Sequence, residues 1–106
     1  MKVEKVGKIH IDGNTQFAVL GLGKFGSSIA KSLYDNGLNV LCCDTDEHIV
    51  QEASAYSTYA YLADASEKTT LEKIGIGNFD VVIIAFGNDF EAAAITSTIA
   101  KEMGAG

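Results

Sequence analysis

Three glycines, Gly21, Gly23 and Gly26, stand in the spacing G-x-G-x-x-G within Gly21-Leu22-Gly23-Lys24-Phe25-Gly26. That spacing is chemistry only in context: a strand must deliver the first glycine and a helix must begin at the last. Backbone N–H groups and the positive helix end then face one anion, such as a pyrophosphate. Gly21 suits a tight turn, Gly23 lets the backbone approach the phosphates, and Gly26 lets helix and strand pack closely. Lys24 adds an ammonium inside the loop, placed either for terminal phosphates or simply in solvent. Asp44 stands eighteen residues beyond Gly26. An acid there can accept hydrogen bonds from ribose hydroxyls and repel a ribose 2′-phosphate; its structural alternative is a strand-end cap. Thr45 follows it, and Thr45 or Asp46 is the expected cap of the next helix.

Two further segments fall at the same expected sheet edge. Asp64-Ala65 follows a third strand and is placed to meet an adenine edge, with a turn or cap as the alternative role for Asp64. Phe86-Gly87-Asn88 follows a fourth strand. Asn88 with Glu91 also reads as a helix cap pair. His10 and His48 have no nucleophile or metal-binding companion in sequence, and His48 is expected in solvent. Cys42 and Cys43 are adjacent, which makes them poor disulfide partners. They are expected to be reduced, buried thiols rather than nucleophiles.

The elements that must position these residues are legible as alternating patterns. The apolar run 17–20 suits a strand buried on both faces. Phe25, Ile29 and Leu33 recur every four residues and define one apolar stripe on a helix ending at Asn36-Gly37. Residues 39–43 form a second strand closed by Asp44, 47–56 a second helix, 58–62 a third strand, 71–74 a short helix stopped by Gly75 and Gly77, 80–85 a fourth strand, and 90–103 an alanine-rich helix. Short connections between alternating strands and helices require parallel strands and right-handed crossovers. The fold class is α/β: a Rossmann-like parallel sheet in order 3-2-1-4, helices on both faces, truncated after the fourth strand and its helix. Residues 1–15 are expected to be an N-terminal arm or appended segment, and 16–106 an incomplete Rossmann-type domain. Without a fifth strand the fourth is expected to have an open edge. That favours association through this edge and the last helix, where Ile95, Ile99 and Met103 lie four apart. The alternative is that the segment from Val6 to Ile11 folds back over the edge.

Composition narrows the partners. The chain has 106 residues, 47% of them hydrophobic, a net charge of −6 and a pI near 4.7. These values fit one globular domain and argue against a nucleic-acid partner held by phosphate neutralisation. The mixed-charge start is expected to be no signal peptide, and the apolar run 81–86 is too short to span a bilayer. Direct membrane insertion is therefore not expected.

The run 17–26, residues 40–44, Ala63-Asp64-Ala65, Ile74-Gly75-Ile76 and residues 80–85 together resemble the RCK domain, also called KTN or TrkA-N, over residues 16–104. The glycine motif alone is shared with many dehydrogenases; the Asp-Ala turn and the Gly-Ile before the fourth strand are more specific. The basic residue followed by Phe inside the loop is most similar to the Ktr branch. The resemblance implies a regulatory subunit of bacterial Trk/Ktr potassium-uptake systems, cytoplasmic and held at the inner face of the membrane through the transporter subunit. It implies ATP/ADP or NAD(H) as ligand, and self-association as a dimer and possibly an octameric ring in a longer protein. It implies a ligand-dependent change of the oligomer that gates transport, with no enzymatic step. Carried over, Gly21, Gly23 and Gly26 hold phosphates, Asp44 the ribose, and Asp64 with Ala65 the adenine. The competing reading is the cofactor-binding fragment of an NAD-dependent oxidoreductase, which needs a substrate domain and an acid/base residue absent from this sequence. A purely structural oligomerisation domain is a third.

Overall fold

The structure, a computed structural model, describes residues 2–5 and 14–85. In chain order they form β1 (Lys2–Lys5), β2 (Gln16–Leu20), α1 (Lys24–Asp35), β3 (Asn39–Asp44), α2 (Glu47–Ala53), β4 (Tyr59–Leu62), α3 (Lys68–Ile74), a single 3₁₀ turn (Ile76–Asn78) and β5 (Val81–Ile84). The sheet order is β1-β5-β2-β3-β4. Its four parallel strands, β4-β3-β2-β5, reproduce the order 3-2-1-4 expected from the sequence. The helix expected over residues 90–103 lies outside the described residues.

The strands alternate their side chains between two cores. Ala18, Leu20, Leu41, Cys43, Val82 and Ile84 point to one face, where Leu71 of α3 and Ile76 of the 3₁₀ turn cover them. Phe17, Val19, Val40, Cys42, Val81 and Ile83 point to the other, against Ala30 of α1 and Ala53 of α2. Helices therefore lie on both faces, and residues 17–20 of β2 and 81–84 of β5 read as continuous apolar runs because both faces of each run are buried. At the outer edge β4 is different: Tyr59, Tyr61 and Leu62 are exposed.

Two expectations are corrected. The edge of β5 is not open: β1 pairs with it antiparallel, Lys2 opposite Ile84 and Lys5 opposite Val81. The chain start does fold back: residues 2–5 cover this edge, and residues 6–11 lie outside the described residues. With β1 on this edge, β5 offers no bare edge for association. The interface role given to Ile95, Ile99 and Met103 falls outside the described residues. Second, Phe25 does not belong to the buried stripe of α1. It is 68% exposed, whereas Gly26 and Ala30 are buried and Ile29 and Leu33 pack on the core beside them.

Candidate functional site

Because β2, β3, β4 and β5 run parallel, their C-terminal ends share one edge of the sheet. The glycine loop follows β2 there, Asp44 closes β3, Asp64 follows β4, and Ala85 follows β5. Ala85 N–H donates to the Leu20 carbonyl at 2.8 Å, so the segment that continues from β5 starts beside the loop. Phe86, Gly87 and Asn88 lie outside the described residues.

The three glycines meet different constraints. Gly21 has φ +93°, where side-chain-bearing residues are strained. A Cβ on Gly26 would stand 2.1 Å from the Gly21 carbonyl oxygen and 3.2 Å from Ala85 Cβ. Both are demanded by the protein's own packing. Gly23 is not: its φ is −62°, and a Cβ there would have nothing within 4 Å among the described residues. It is exposed, at the mouth of the loop.

Gly23 also caps α1, and the cap is incomplete. It offers no side-chain acceptor, the first turn carries no acidic residue, and that turn instead holds Lys24. A cation is the unfavourable charge at a helix start. The amides of Lys24, Phe25 and Gly26 have no acceptor among the described residues. The neighbouring α2 shows the ordinary solution: Asp46 Oδ1 accepts from His48 N at 2.9 Å and Ile49 N at 3.4 Å, with Glu47 in the first turn. Asp46 is thus the cap that the sequence left between it and Thr45; Thr45 is exposed beside it.

Asp44 faces the loop. Its Oδ2 accepts from Leu22 N at 2.7 Å and its Oδ1 from Asp46 N at 2.9 Å. Sequence reasoning placed Asp44 at this edge but missed its bond to Leu22, since nothing in the residue spacing says which amide a carboxylate will take. Leu22 and Ala65 send their side chains into the two cores, so either can meet a ligand only through its backbone. Asp64 is exposed, and its Oδ1 accepts from the Ser66 amide at 2.9 Å and hydroxyl at 2.6 Å. The Ser66 hydroxyl, then its amide, holds the Asp64 carboxyl below its usual range. Asp64 is both a turn residue and an edge residue, and its Oδ2 accepts nothing among the described residues. Lys24 is exposed with no ion-pair partner among them.

The thiols behave as the sequence implied. Both are free and buried. Burial pushes Cys42 up to about 11 and, with the charge of Asp44 beside it, Cys43 up to about 12. Neither is a thiolate at neutral pH. Among the described residues no cluster of His, Cys, Asp and Glu could hold a metal ion, and no helix is long and apolar enough to cross a membrane.

A parallel sheet in this order, with a glycine-rich turn leading from the first strand of its parallel set into a helix, defines a Rossmann-like domain. Residues 17–106 match the model of the TrkA-N domain, and the chain belongs to that family. It is 43% identical over 90 residues to Ktr system potassium uptake protein A of Bacillus subtilis, covering 85% of this chain and 40% of the relative. Ktr system potassium uptake protein C of the same organism is 40% identical over 89 residues, 84% of this chain and 40% of that protein. Trk system potassium uptake protein TrkA of Mycobacterium tuberculosis is 32% identical over 84 residues, 79% and 38% respectively. The chain spans about two fifths of the length of these relatives.

Proposed function

We propose that this chain is a regulatory nucleotide-binding domain of a potassium-uptake system, binding ATP/ADP or NAD(H) and performing no chemistry on it. The observation that carries the reading is the start of α1. A helix whose first amides lack acceptors among the described residues, whose cap residue has no side chain and whose first turn is cationic suits an anion at that end. The open space at Gly23 leaves room for one to approach the backbone. Asp44 and Asp64 at the same edge suit the ribose and base of a nucleotide whose phosphates occupy the loop. Lys24 tilts the choice towards ATP or ADP, because it adds positive charge at the phosphate end.

The transport role rests on the relatives' names. In this reading the domain self-associates, as a dimer or within a ring of a longer protein. It sits at the cytoplasmic face against a membrane transporter subunit, and nucleotide exchange alters the assembly and so the pore. Calorimetric titration with ATP, ADP, NADH and NADPH tests the ligand. Binding of at least one of the first three is expected, with NADPH the weakest because its 2′-phosphate meets the Asp44 carboxylate. NADPH binding as tight as NADH would remove Asp44 from the ribose. No heat with any of them would remove the nucleotide.

A further inference from the structure

The glycine loop is held from outside. Its first two amides are both taken by the end of β3: Gly21 N–H donates to the Cys43 carbonyl at 2.8 Å, and Leu22 N–H to Asp44 Oδ2 at 2.7 Å. The first bond extends the ladder between β2 and β3 by one rung. The second is made by a side chain: the Asp44 carbonyl faces β4 and accepts from Ala63 N–H at 3.0 Å, so it is the carboxylate that reaches the Leu22 amide. Asp44 Oδ1 accepts from Asp46 N–H at 2.9 Å, which fixes the carboxylate's own orientation. One side chain therefore pins the turn after β2 to the turn after β3. The amides that come next, those of Lys24, Phe25 and Gly26, are the ones left without acceptors among the described residues.

We propose that Asp44 is a positioning residue for the phosphate site, distinct from any contact it makes with a ribose. Its carboxylate fixes the Leu22 peptide and thereby aims the free amides of residues 24–26 at the anion. This rests on the reading of the loop as an anion site. Electrostatics and positioning predict opposite signs for a ligand that has phosphates and no ribose. Removing a negative charge from the edge should strengthen a polyanion; releasing the Leu22 peptide should weaken it.

Inorganic tripolyphosphate, titrated into the full 106-residue chain, separates the two. Asp44→Ala removes both charge and acceptor, and should bind tripolyphosphate about tenfold or more weakly, the scale of one hydrogen bond to a charged group. Asp44→Asn keeps an oxygen for Leu22 N–H and removes the charge, so it should bind at least as well as the unsubstituted chain. Undiminished binding by Asp44→Ala, with ATP weakened, would overturn the positioning role and leave the ribose role standing. An unsubstituted chain that binds neither tripolyphosphate nor nucleotide would overturn the anion site itself, and this inference with it. Hydrogen exchange of the ligand-free chain adds a readout independent of binding. The Leu22 amide should exchange slowly in the unsubstituted chain and in Asp44→Asn, and fast in Asp44→Ala, while Val19 stays protected in all three. A Leu22 amide that exchanges as fast as that of Lys24 in the unsubstituted chain would contradict the proposal.

Discussion

Gly26 and Gly23 stand three residues apart and answer to different neighbours. Gly26→Ala drives a methyl into the backbone of Gly21, which cannot yield without lifting α1 off β2. It should cost about 1–3 kcal/mol of stability, the range for overpacking a tight contact, measured by urea unfolding; a change within error would mean that α1 sits farther out. The cysteines carry a pH signature. Their folded pKa values are raised to about 11 and about 12 from 9.0, so the folded state holds protons that the unfolded state gives up. Stability from this source is whole below pH 9 and falls as pH rises through 11 to 12. Alkaline unfolding should therefore be shallower in Cys42→Ala than in the unsubstituted chain, and equal slopes would contradict the burial. The sequence shows the glycine spacing and the acid at the end of β3 directly, because both are fixed by chain geometry. It misplaces Phe25 because a four-residue repeat is not a straight stripe. Each step of four advances roughly 40° round a helix, so Phe25 lies well behind Leu33 and off the face centred on Gly26 and Ala30.

At the scale of elements, the legible strands are those whose two faces are both covered. β2, β3 and β5 are written as apolar runs because the cores on either side demand it. β1 leaves no such mark. Lys2–Lys5 holds a single apolar residue, Val3, and joins the sheet through its backbone, which any sequence can do. The expectation of an open edge was thus a sound inference from 81–84, defeated by a strand that carries no pattern. Removing residues 1–13 should uncover β5 and recreate that edge. Light scattering should then report a larger assembly than the intact chain forms at equal concentration. An unchanged mass would mean that β1 is dispensable as edge cover. The two helices on one face differ for a related reason: α2 is finished by its own Asp46, whereas α1 is left open at Gly23.

Across the whole molecule, the proposed anion site lies on an acidic chain, and the net charge of −6 works against it. The field that matters is local. Lys24 and amides without acceptors among the described residues lie within one turn of the start of α1, while long-range repulsion from surface carboxylates is screened over about 8 Å at physiological salt. Membership of the TrkA-N family and the names of the relatives give this site its proposed regulatory setting, in proteins about twice as long. The claim on which the account depends is that phosphates lie against the backbone at Gly23. Gly23→Val tests it most directly, because a Cβ there meets nothing within 4 Å among the described residues, so the unfolding midpoint should stay close to its original value. Calorimetric titration of ATP, ADP and NADH into both chains should show binding to the unsubstituted protein and a loss of at least about tenfold in the variant, the effect of roughly 1.4 kcal/mol. Equal affinity in the two, with both folded, would place the ligand elsewhere and contradict the account.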